Sequence, residues 1–224
     1  MRFQFASDQS LLVSFGDKIS LDAHQHVVRL LRLLEAEPVV GVQNLHPAYC
    51  SLLVKFDAVK MRHEEVQEIL ESYLERLEMI SLPKPRCVEI PVCYGAEFGP
   101  DLNEVAESRS LTPAQIIELH SSIEYLVYFL GFVPGFGYLG ELPKELVTPR
   151  LATPRRLVPP GSVGIAGSQT GVYPFATPGG WRLLGRTPLK MFRDDREEMS
   201  LLRIGDRVRF VPISTERFAA MVSA

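Results

Sequence analysis

The spacing of apolar residues changes along the chain, and the change divides it. LLVSF (11–15) is a short apolar run of strand character. Val27, Leu30, Leu31 and Leu34 then recur at the 3.6-residue period of a helix that Ser20 can cap and Pro38 must end. GVQNLHPAYCSLLVKF (41–56) reads as two strands about a turn at Pro47. Val66, Ile69, Leu70, Tyr73, Leu74 and Leu77 lay one apolar stripe on a second helix. Closed by a strand from CVEIPV (87–92), the order β-α-β-β-α predicts a small ferredoxin-like α/β sandwich, in which each helix covers one face of the sheet.

LPKPR (82–86) stops the second helix with two prolines and favours extended backbone, so the expected domains are residues 1–82 and 87–224. Beyond the boundary, Asp101 with Glu104, and Thr112 with Pro113 and Gln115, have the form of two capped helix starts before the strand IEYLVYFLG. Residues 131–191 hold 11 of the 16 glycines and 9 of the 17 prolines, which favours short strands and shaped loops over helices. LLRI, a Gly205-Asp206 turn and VRFVPI supply the last strand signals. The expected result is α+β overall, with a closed or nearly closed β-barrel in the second half.

Composition narrows the function. With 224 residues, 46% of them apolar, and a net charge of −3, the chain can build a real core and carries no general cationic field for nucleic acid or an anionic membrane. Three cysteines without a C-x-x-C pair argue against a disulfide framework and a thiolate metal site. No signal-peptide pattern opens the sequence and no apolar run reaches spanning length, so a cytoplasmic protein is expected.

Charge is nevertheless segregated. Between Leu146 and Arg193 there is no acidic residue, while Arg150, Arg155, Arg156, Arg182, Arg186, Lys190 and Arg193 supply seven cations. Such a set is either a solvated scatter or an anion site gripping carboxylate or phosphate with guanidinium forks. The candidates for the second case are Arg150, Arg155 and Arg156, with Ser168, Gln169 and Thr170 beside them. His120 is the candidate for proton transfer, against the alternative of a buried structural histidine. GWRLLGRT (180–187) has a P-loop outline with Arg186 where lysine is required, but its alternation reads as a strand. FLGFVPGFGYLG (129–140) is either a tight barrel corner or a place where backbone and aromatic rings wall a pocket.

Four phrases, YFLGFVPGFGYLGEL, TPRLATPRRLVPPGSVGIAG, SQTGVYPFATPGGWRLLGRTPLKMF and LLRIGDRVRFVPI, together resemble one bacterial family. It contains the B component of the three-component 5-oxoprolinase, the KipI inhibitor of a sporulation histidine kinase, and one half of the urea carboxylase carboxyltransferase domain. Gly137 stands where that family usually has proline, and Pro160 where a small residue is common. The resemblance implies a small α/β domain followed by a cyclophilin-like barrel. It implies ATP-dependent opening of 5-oxoproline to glutamate, with ATP held by the complex and with the A and C components of the 5-oxoprolinase as partners. Phe132, Phe136 and Tyr138 are then the expected partner interface. The same resemblance leaves open a kinase inhibitor, or half of a carboxyltransferase served by a biotin-bearing partner.

Overall fold

The computed structural model describes residues 1–223. They form two compact units, the first Met1–Lys84 and the second from Pro85 onward.

The first unit runs β1 (Arg2–Ser7), β2 (Ser10–Ser14), α1 (Leu21–Ala36), β3 (Val42–Pro47), β4 (Ser51–Phe56) and α2 (His63–Leu74). Its sheet has the order β1-β2-β4-β3, antiparallel throughout. Ser20 caps α1 by accepting a hydrogen bond from the Ala23 amide at 3.1 Å. Val27, Leu30, Leu31 and Leu34 of that helix, with Val66 and Leu70 of α2, bury against Leu11, Val13, Leu52, Val54 and Phe56 of the sheet. The fourth strand differs from expectation. RFQFAS (2–7) supplies it through a tight turn onto β2, and the element order becomes β-β-α-β-β-α. β1 lies at the edge with nearly every residue exposed, so its Phe3 and Phe5 mark no buried face.

CVEIPV belongs to the second unit instead. There β5 (Cys87–Tyr94), α3 (Leu102–Ser108), α4 (Pro113–Ser121), β6 (Tyr125–Leu130), β7 (Gly137–Gly140), β8 (Arg155–Val158), β9 (Ser162–Ala166) and β10 (Gln169–Val172) follow in order. They lead to β11 (Thr177–Gly179), β12 (Arg182–Arg186), β13 (Arg207–Pro212) and α5 (Thr215–Val222). Seven strands close a barrel in the order β10-β7-β6-β13-β5-β12-β9. The pair β5 and β13 is parallel, Cys87 facing Arg207 and Val92 facing Pro212, and every other barrel pair is antiparallel. Inside lie Ile90, Val92, Tyr125, Val127, Leu139, Val163, Ile165, Leu184, Val208 and Phe210, joined by Leu102, Val105 and Ile116 from α3 and α4. LLRI (201–204) forms no strand; it leads into the Gly205 turn, where Asp206 accepts from Arg86 Nε at 2.9 Å and from the Arg203 amide at 2.8 Å. Strands β8 and β11 pair as a separate two-stranded sheet.

Candidate functional site

The segment after β6 turns sharply. The Val133 amide donates to Gly131 O at 2.8 Å and the Phe136 amide to Val133 O at 3.1 Å, which throws Phe132 outward at φ 69° with 59% of its surface exposed. Gly135, at φ 81°, lies so close to the following loop that a Cβ there would stand 2.8 Å from Phe192 Cβ. A shallow hollow of about 480 Å³ results, walled by Leu130–Gly135, Phe192, Met199 and Ser200. Phe136 turns the other way. It is 2% exposed and packs edge-on against Tyr173 and Trp181 at centroid distances of 5.4 Å each. This corrects the expected interface: Phe136 is core, Tyr138 is half-buried beside it, and of the three only Phe132 presents its ring to solvent.

In the expected anion site one arginine is already committed to a carboxylate. Arg155 Nη2 donates to Asp101 Oδ1 at 2.6 Å, and the other oxygen, Oδ2, accepts the Leu183 amide at 2.6 Å. Asp101 therefore spends its carboxylate on β8 and β12 and makes no capping bond to α3, contrary to the capping-box pattern. Arg150 and Arg156 are exposed, and Ser168 and Gln169 are half-buried at the start of β10. The Ser168 carbonyl accepts the Leu142 amide at 2.8 Å.

Thr170 and His120 are both fully buried and meet directly, Nε2 to Oγ1 at 2.8 Å. Tyr94 Oη stands 2.8 Å from His120 Nδ1. Burial alone depresses the imidazole to about 3, and the same cause lifts the Tyr94 hydroxyl well above its ordinary value. His120, the candidate for proton transfer, is sealed from solvent, held neutral and engaged at both ring nitrogens, and in this position it braces the barrel core.

Three other cations, Arg186, Lys190 and Arg193, share a cleft. With Phe175, Phe192 and Phe218 they line about 690 Å³ of open space outside the barrel. Its floor is set where β12 ends: the Thr187 amide donates to Gly161 O at 2.9 Å, and Gly161, at φ 80°, approaches so closely that a Cβ would lie 2.4 Å from Thr187 O. Arg186 Nε donates to Pro160 O at 2.8 Å, which fixes the guanidinium over this floor. Arg193 is held by Asp195 through contacts of 2.9 and 2.6 Å, and that pairing keeps the Asp195 carboxyl down at about 2. Phe192 walls both hollows, and neither is lined by Arg150, Arg155 or Arg156. The sequence signal for this cleft was the run RTPLKMFR, three cations in eight residues with no acid among them.

GWRLLGRT forms β12, with Trp181, Leu183 and Leu184 all buried, so it presents no nest of amides to a phosphate chain. Among the described residues no group of three or more His, Cys, Asp and Glu side chains could hold a metal ion. Among them, too, no helix is long and apolar enough to cross a membrane.

A small antiparallel α/β unit followed along the chain by a closed barrel makes this an α+β protein. The family described as "Carboxyltransferase domain, subdomain C and D" matches residues 1–202, and the chain belongs to it. It is 59% identical over 211 residues to the 5-oxoprolinase B subunit of Escherichia coli O157:H7, covering 94% of this chain and 95% of that one. It is 43% identical over 223 residues to the 5-oxoprolinase B subunit of Bacillus subtilis strain 168, covering 95% and 93%. The crystal structure of TTHA0988 superimposes with a TM-score of 0.81 at 36% identity over 92% of this chain, which spans 40% of that longer one.

Proposed function

We propose that this chain is the B component of a multi-component cytoplasmic 5-oxoprolinase, which hydrolyses 5-oxo-L-proline to L-glutamate at the expense of ATP and acts only with its A and C components. The observation that carries the reading is end-to-end identity of 59% and 43% with two 5-oxoprolinase B subunits. The chemistry asks for a complex. A five-membered lactam is a poor electrophile, so its oxygen takes the γ-phosphoryl group of ATP and ADP leaves. One water then adds to the activated carbon and the C–N bond opens to an amine and an acyl phosphate; a second water releases phosphate. Such steps need positioned cations and donors around growing negative charge. Nothing in β12 offers an ATP cradle, which supports placing ATP in the assembled complex.

The test is reconstitution. The purified chain alone should release no ADP in response to 5-oxoproline, whereas the chain with the A and C components should release ADP and glutamate together. Deletion of its gene should make 5-oxoproline accumulate. Unchanged 5-oxoproline with altered histidine kinase autophosphorylation would replace this reading with the inhibitor, and biotin-dependent carboxylation would replace it with the carboxyltransferase half.

Phe132 offers a separate prediction about assembly. Its left-handed backbone costs a non-glycine residue roughly 1–2 kcal/mol, while its ring makes edge contacts to Phe136 and Tyr173 at 5.6 and 6.5 Å. Phe132→Gly should therefore leave the urea stability of the isolated chain within about 1 kcal/mol of wild type. Co-purification with the partner proteins should fall, because the exposed ring is gone. Undiminished co-purification would remove Phe132 from the interface.

A further inference from the structure

We infer that the cleft between β12 and α5 binds a small monocarboxylate, with its carboxylate on Arg186 and Lys190 and its apolar ring on Phe175 and Phe192. This deepens the 5-oxoprolinase reading and rests on it for the identity of the acid, which would be 5-oxoproline.

The cations of the cleft divide into committed and available. Arg193 and Asp195 satisfy each other through two short contacts. Arg186 gives only its Nε–H to Pro160 O, so its outer Nη1/Nη2 edge remains for a ligand. Among the described residues no carboxylate lies within ion-pair distance of Arg186 or of the exposed Lys190. A guanidinium pinned at one nitrogen has lost part of its rotamer freedom before any ligand arrives, which favours a two-point grip on a planar carboxylate.

Charge balance selects among anions. Arg186, Lys190 and Arg193 against Asp194 and Asp195 leave the cleft with one net positive charge. That matches a monoanion. A triphosphate would bring several negative charges against the same acidic wall and would find no converging amides at β12. Apart from Thr187 the remaining lining is apolar: Phe175 is 39% exposed and its ring centroid lies 5.7 Å from that of Phe192, and Phe218 and Val222 of α5 join them. Aromatic edges of this kind pack a small saturated ring without demanding hydrogen bonds from it. At about 690 Å³ the space exceeds what one such acid fills, so a second reactant or a partner's side chain can enter beside it.

The deciding experiment uses Arg186→Gln and Lys190→Gln, each made in the full chain. In the reconstituted complex, loss of one charge-assisted contact should raise KM for 5-oxoproline about 10- to 100-fold while KM for ATP stays within about threefold. Unchanged KM for 5-oxoproline in both variants, with wild-type turnover intact, overturns the cleft assignment and leaves the 5-oxoprolinase reading standing. Ligand-observed NMR on the isolated chain separates the two ideas. The probe is cyclopentanecarboxylate, which keeps the ring and carboxylate but has no lactam, and its neutral amide is the control. Saturation transfer to the acid, absent for the amide and lost in Arg186→Gln, supports the cleft even if the complex never turns over 5-oxoproline. Transfer that persists in both variants, or that is absent from the wild-type chain, sinks it. Lys190 is exposed and pairs with no carboxylate among the described residues, so its variant guards against a trivial folding defect in Arg186→Gln.

Discussion

Asp101→Ala is expected to destabilise the barrel unit by about 3–5 kcal/mol, the usual cost of stranding one member of a buried ion pair. The carboxylate is 6% exposed and its partner Arg155 28% exposed, so solvent cannot fully replace what is lost. Two groups are orphaned at once. Arg155 Nη2 loses its 2.6 Å acceptor, and the buried Leu183 amide loses the oxygen that the carboxylate turned toward β12. Arg155→Ala should cost less, roughly 1–3 kcal/mol, because Asp101 keeps the Leu183 bond and regains water on its other oxygen. Asp101→Asn should fall between them, since its amide oxygen can still accept from Leu183 while its NH₂ faces the guanidinium. Trp181 is the single tryptophan and lies 5% exposed inside this unit, so its fluorescence reports the barrel's urea transition in the full-length chain. A loss below about 1 kcal/mol for Asp101→Ala would show that Arg155 is not tied down here and would return it to the pool of anion-binding candidates.

The same residue shows where reading the sequence succeeds and where it stops. Local patterns were legible: Ser20 caps α1, Thr112 and Gln115 exchange the bonds of a capping box at α4, and VRFVPI is β13. Each of these is decided over a short stretch of chain by period and cap chemistry. Asp101 with Glu104 has the same outline, yet its partners stand 54 and 82 residues away in the chain, and only barrel closure brings them near. RFQFAS differs again: Phe3 and Phe5 alternate with Arg2 and Gln4, but this exposed edge strand buries almost nothing and stands apart from the apolar runs that mark the core. The cations were visible as a group, and the glycine-rich grammar announced short strands and a barrel. Which cations converge was not visible, since Arg186 meets Pro160 through the contact of Gly161 with Thr187, a matter of strand register. Composition likewise could not tell Phe132 from Phe136: on either side of one turn, one is exposed and the other is core.

Acidification should weaken the barrel through His120, and the proton arrangement explains why. Thr170 Oγ1 lies 3.1 Å from Gly164 O and has a single hydrogen to give it, so it must accept from His120 Nε2–H at 2.8 Å. Nδ1 is then the acceptor, and Tyr94 Oη–H donates to it at 2.8 Å. The chain Tyr94, His120, Thr170, Gly164 is complete with a neutral ring. A second proton on Nδ1 would break it and leave an imidazolium stacked on Phe210 at a 4.5 Å centroid distance, beside Tyr125, with no carboxylate among its hydrogen-bond partners. Hence the depression to about 3, against about 6.5 for an unfolded histidine. Between those values the unfolded chain binds a proton that the native state refuses, so stability from this group is complete above about pH 7 and falls as the pH drops through about 6.5. The limiting slope is about 1.4 kcal/mol per pH unit, which makes the loss from about pH 8 to about pH 5 about 2 kcal/mol. His120→Gln removes the titration while keeping a polar side chain in the network. Wild type should lose about 2 kcal/mol more than the variant over that interval in Trp181-detected urea unfolding, the carboxylates common to both cancelling in the difference. Parallel pH profiles would mean that the native ring takes up its proton over the same pH range as in the unfolded chain, and the buried chain of donors and acceptors would have to be redrawn with Tyr94 accepting.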